Sequence, residues 1–134
     1  MSDIVIPVSV GELLDKISIL LIKSQRIHDP AKLKNIRREL DALNDVWAAS
    51  GLQDDETRRL ATELKSVNGR LWEIEDDIRD AEANSDFGPG FIALARSVYR
   101  KNDERAALKR AINEHSGSAL IEEKSYRDYG RGEA

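Results

Sequence analysis

The chain has 134 residues, 34% of them charged, with a formal net charge of −4 and no cysteine. That length supports one domain with its own core, and the missing thiols exclude disulfide staples, thiolate zinc sites and cysteine nucleophiles. The acidic balance, with a pI of about 5.3, argues against a general nucleic-acid or anionic-membrane binder. Two histidines, His28 and His115, are too few for a multi-histidine metal centre within one chain. Apolar runs such as Ile19–Ile22 are far short of a membrane span, and the first residues lack the basic and long apolar regions of a secretory signal. A soluble cytoplasmic protein, with no nucleic-acid or membrane partner and no implied cofactor, is expected.

The first eight residues read as an extended arm, because Ile4, Val5, Ile6 and Val8 are β-branched and Pro7 interrupts them. Ser9 and Glu12 have the spacing of a capping box, which opens a helix over about 10–27. Its apolar residues cover more than one stripe, which places it centrally. Asp29 and Pro30 suit the N-cap and first helical position. A second helix follows over about 30–50, with core positions Leu33, Ile36, Leu40, Leu43 and Trp47 and a terminating Gly51. Asp54 or Asp55 can cap a third helix over about 55–83. Its seam of Leu60, Leu64, Val67, Leu71, Ile74, Ile78 and Ala81 alternates steps of four and three, the pattern of bundle packing. Residues 84–90 break the chain, and a fourth helix runs over about 91–115. In the tail, 116–134, Ala119–Ile121 either pairs as a strand with residues 3–8 or lies on the bundle. The prediction is a single all-α domain over 1–134: an antiparallel bundle of about four helices, with the arm and a packed tail.

Three groups of residues carry candidate chemistry. Six carboxylates against one arginine crowd residues 73–82, and Glu73, Asp76, Asp77 and Asp80 share one helical face. Such a face can hold a divalent metal against phosphates. That resembles the all-α nucleotide pyrophosphohydrolases in part, but their second acidic pair is missing, and the seam turns these acids toward water. A solvated face is favoured, and no metal site. A second stripe, Asn68, Trp72, Glu75 and Arg79, lies beside the seam and can form either a ligand wall or an ordinary packed Trp with a Glu75–Arg79 pair. The third group ranks first. Val98, Asn102, Arg105, Lys109 and Ile112 form a stripe whose apolar ends flank a cationic middle, and residues 96–110 hold six cations against two acids. Cations set into a bundle face must be paired, hydrated or ligand-bound. Pairing with the 73–82 acids across an antiparallel hairpin accounts for Arg96 and Arg100. Arg105 and Lys109, with Asn102 orienting, remain as an anion site, which Lys16, Trp72, Glu75 and Tyr99 would complete.

Five blocks, PVSVGELLDKISIL (7–20), DPAKLKNIRREL (29–40), LWEIEDDIR (71–79), FIALARSVYRKNDERAALKRAIN (91–113) and GSALIEEKSY (117–126), span nearly the whole chain. In them the sequence resembles a family of short bacterial helical proteins of unassigned function. The resemblance implies a bacterial, single-domain helical protein and brings no activity or site residues with it. The helical chorismate mutases also place Arg and Lys in a helical cavity, but their charged spacing is not reproduced. With no triad, metal cluster or nucleotide loop, the leading expectation is a non-enzymatic binding or interaction module, whose partner is a second copy or another protein. The first alternative is a site for an anionic small molecule, phosphate or carboxylate, enzymatic or not, where helices one, three and four converge. The second is a divalent-metal-dependent nucleotide hydrolase.

Overall fold

The computed structural model describes residues 3–130. Ser9 starts the first helix, α1 (Val10–Arg26), by accepting the Glu12 N–H at 3.1 Å. Only half of the expected capping box forms, because the Glu12 carboxylate turns to Lys109 and Lys16; ammonium partners are stronger than a backbone N–H. Gly11, Leu13, Leu14, Asp15, Ile17, Ser18, Leu20 and Ile22 of α1 are all buried. Burial on several sides follows from position: α1 packs against each of the other three helices.

The second helix, α2 (Pro30–Ser50), opens on Pro30 after Asp29, whose side chain makes no cap bond, and closes on Gly51 at φ 70°. It lies against α1. Ile36 and Leu40 are buried, while Leu33, Leu43 and Trp47 cover the edge of the core. The third helix, α3 (Asp55–Ala83), has a complete capping box. Asp54 accepts the Thr57 N–H at 2.8 Å, and the Asp54 N–H donates to the Thr57 hydroxyl at 2.9 Å. The fourth helix, α4 (Pro89–Ser116), starts two residues before the expected position because Pro89 fits a first turn after Gly88. It ends at Gly117, φ 67°. His115 Nε2 meets the Asp54 carboxylate at 2.8 Å and ties the end of α4 to the start of α3, as an antiparallel hairpin requires.

The core is built by Leu13, Leu14, Ile17 and Leu20 of α1, Leu60 and Leu64 of α3 and Ile112 of α4, with Ile36 and Leu40 added from α2. Leu64 and Ile112 are fully buried, each contributing about 1.5–3 kcal/mol relative to exposure. Among the described residues no strand forms, so residues 3–8 and 119–121 do not pair. The tail instead lies along α4, where Glu122 meets Lys109, Glu123 meets Arg110 and Tyr129 packs edge-on to Tyr99 at 4.9 Å. No described helix is long and apolar enough to cross a membrane.

Candidate functional site

Asp15 is the one carboxylate on the inner faces of α1 and is 1% exposed. A lone charge there would cost several kcal/mol, and three donors meet it. Arg105 Nε donates to Oδ1 at 3.0 Å, Arg105 Nη2 donates to Oδ2, and Asn68 Nδ2 donates to Oδ1 at 2.9 Å. Asn68 Nδ2 also donates to the Ser18 hydroxyl at 2.7 Å, and that hydroxyl donates to the Asp15 carbonyl at 2.7 Å. Burial pushes the Asp15 carboxyl up, but the bonds from Arg105 and Asn68 and the charges of Arg105 and Lys109 outweigh it and hold it below the usual range. Asp15 is therefore a fixed anion at neutral pH, unsuited to donating a proton.

A second ionic cluster sits one turn further along both helices. Lys109 is 8% exposed and donates to Glu12 at 2.7 Å and to Glu122 of the tail at 2.8 Å. Here too burial disfavours the charge, and the two carboxylates more than offset it, so the Lys109 ammonium is held above its ordinary range. The helices approach closely at this level. The Gly11 N–H donates to Asn113 Oδ1 at 2.7 Å. A Cβ at position 11 would stand 2.5 Å from the Lys109 carbonyl oxygen, so glycine is required.

Between α1, α3 and α4 lies a cleft of about 420 Å³, a size suited to a small molecule. Ile19, Ile22, Leu71 and Val98 supply apolar wall; Asn68, Trp72, Glu75, Asp76, Arg79, Asn102 and Arg105 supply the rest. Four of the expected site residues, Trp72, Glu75, Asn102 and Arg105, thus converge. Three do not line it. Lys16 is exposed and faces Glu12 at 3.7 Å. Lys109 is taken up by its own carboxylates, and Tyr99 packs edge-on to Tyr129 of the tail.

The acidic stretch also resolves differently from the expected interhelical pairing. Glu73 pairs with Arg26 of α1 and Arg70 of its own helix, and Glu75 with Arg79. Arg96 and Arg100 make no ion pair among the described residues. Asp77 and Asp80 are exposed, and no group of three or more described acids or histidines is placed to hold a metal ion.

Residues 4–129 match the model of a family of unknown function, DUF6165. The chain belongs to this family. No curated protein and no solved structure matches it. The DUF6165 match spans arm, all four helices and most of the tail, so arm and tail are parts of the family's domain.

Two residues central to the site, Asp15 and Asn68, stand outside the set expected for the anion site, although Asn68 belongs to the second candidate stripe. Each carried a signal. Asp15 is the acid in the middle of the most apolar helix, and Asn68 begins the stripe that continues through Trp72, Glu75 and Arg79. The partner of each lies on another helix, which periodicity within one helix does not reveal.

Proposed function

We propose that the protein binds a small molecule in the cleft between α1, α3 and α4. The observation that carries this reading is convergence: an indole, two amides and a half-buried arginine from two helices meet on one opening of small-molecule size. Binding fits better than catalysis, because Arg105 holds Asp15 and Arg79 lies 3.5 Å from Glu75. A bare anion is the weaker form of the idea. Lys16 and Lys109 point elsewhere, and Asp15 already balances Arg105.

The test is thermal unfolding with Trp72 fluorescence in a Trp47→Phe background, across a panel of neutral, anionic and zwitterionic small molecules. A ligand that binds only the folded state raises the melting temperature, by an amount that grows with its concentration, and Trp72→Ala, followed by helical circular dichroism because it removes the fluorophore, abolishes the rise. A panel with no effect, or a rise that survives Trp72→Ala, overturns the reading.

One observation favours a second reading, self-association. Ile4 and Val5 are 90% and 92% exposed, in an extended segment with no strand partner among the described residues. Such a segment is what strand pairing between two copies uses. Light scattering that gives a dimer mass, lost on Val5→Pro, supports it; a monomer at high concentration sinks it.

A further inference from the structure

The inference here rests on the cleft reading and concerns what the cleft accepts. Two polar groups at its inner end are unspent. Asn68 is 6% exposed, and its amide nitrogen faces the Asp15 carboxylate. Chemistry fixes that orientation, since turning the amide over would set oxygen against oxygen. Asn68 Oδ1 therefore points away from Asp15, and no described residue donates to it. It is not sealed in either: Ser116 Oγ is the buried side-chain atom without a partner among the described residues. Arg105 is in the complementary position. It spends Nε and Nη2 on Asp15 and keeps Nη1 without a partner among the described residues. Asn68 and Arg105 share Asp15 Oδ1 as a common acceptor, at 2.9 and 3.0 Å, so their heads are neighbours. Both line the cleft.

An unspent acceptor and an unspent donor on neighbouring side chains can together complement an amide edge, N–H next to C=O. The charges point the same way. Asp15 balances Arg105, and Glu75 stands against Arg79. No surplus positive charge remains for a phosphate. Asp76 adds a negative charge to the wall and Asn102 an amide; Ile19, Ile22, Leu71 and Val98 make the rest apolar, and half-buried Trp72 stands one helical turn from Asn68 on α3. An indole offers a broad face to a flat ring.

We propose that the cleft takes a flat, uncharged heteroaromatic ring with an amide-type edge. The ring C=O accepts from Arg105 Nη1, its N–H donates to Asn68 Oδ1, and its face lies against Trp72.

Titration of the full chain followed by ¹H–¹⁵N NMR tests this with four probes: 2-pyridone, N-methyl-2-pyridone, benzoate and inorganic phosphate. The expected result is that 2-pyridone moves the Trp72 indole and Asn68 amide signals, and that N-methylation weakens it by about tenfold, as losing one buried hydrogen bond should. Equal binding of the N-methyl compound, or tighter binding of benzoate or phosphate at the same signals, overturns the ligand class and leaves the cleft reading standing. If no probe moves the Trp72 indole, the proposal and its assignment to this cleft fall together. Asn68→Ser adds a second readout: in a folded variant, the preference for 2-pyridone over its N-methyl form should vanish, and a preference that persists counts against the assigned contact.

Discussion

Two ionic clusters, one turn apart on the same pair of helices, end in opposite states. The Lys109 cluster is saturated in charge. Glu12 takes one side of the ammonium, Glu122 of the tail takes another, and Asp15 stands 3.9 Å away. The Asp15 cluster is balanced in charge but not in hydrogen bonds, because Asn68 Oδ1 and Arg105 Nη1 remain free among the described residues, and both residues line a cleft. The difference teaches that charge buried in a bundle does not by itself mark a binding site. Lys109 is the better buried of the two cations, yet the chain supplies its partners. What distinguishes a site is an unmet donor or acceptor on residues that line a cleft.

The comparison can be broken most severely at Asp15. Asp15→Ala leaves the half-buried Arg105 without its anion, and breaking such a pair should cost about 3–5 kcal/mol, read by urea denaturation. A loss under 1 kcal/mol would mean that water already compensates the pair. Next is Gly11→Ala, which forces a methyl against the Lys109 carbonyl and should cost about 1–3 kcal/mol through overpacking. Because Gly11 lies at the level of Lys109, this variant should loosen the saturated cluster more than the open one. NMR shift changes larger at Asn68 than at Lys109 would contradict that.

Acid and alkali separate the clusters with less force. The Asp15 carboxyl is held low by the folded state. Its contribution is present above the unfolded carboxylate value of about 3.9 and is lost as pH falls through the lower folded value. The Lys109–Glu122 contact should fail at both ends. The Glu122 carboxyl is held low by Lys109, so that part is lost as pH falls below about 4.3. The ammonium is held high, so its part is lost as pH rises above about 10.4. Denaturation midpoints across pH, compared between the native chain, Asp15→Asn and Glu122→Gln, check this: the first variant should flatten the acid limb alone. The smallest effect belongs to Glu122→Gln at neutral pH, about 0.2–1 kcal/mol for a half-exposed partner. Its clearer sign should be faster proteolytic cleavage at Lys124 and Arg127 as the tail lifts from α4.

Much of the fold was legible because apolar periodicity and capping chemistry are local. The central place of α1, the Leu60–Leu64 seam, the Asp54 cap and the Gly51 and Gly117 stops all follow from neighbours in sequence. The site was half legible. Asn102 and Arg105 share a helical stripe, and Trp72 and Glu75 share another, so their convergence follows once α3 and α4 pair. Lys16 and Tyr99 fall outside because each is one step, about 100° of helix rotation, away from a neighbour that faces inward: Asp15 and Val98. Lys109 keeps the right stripe, but the position of Glu122 depends on how the tail lies, and no periodicity encodes that.

The joining of α1 to α4 also bears on how the chain is made. Asp15 and Arg105 are 90 residues apart, and Gly11 and Asn113 are 102 apart. Closing a loop of that length costs about 4 kcal/mol of chain entropy, which the local contacts of a simple helical hairpin avoid. At ordinary rates of synthesis, roughly 5–18 seconds separate the making of Asp15 from the making of Arg105. For that interval the most apolar helix of the molecule carries a carboxylate whose arginine does not yet exist. The nascent chain thus holds an exposed, unmatched first helix, a natural target for chaperones, and only the arrival of the last helix lets the core close.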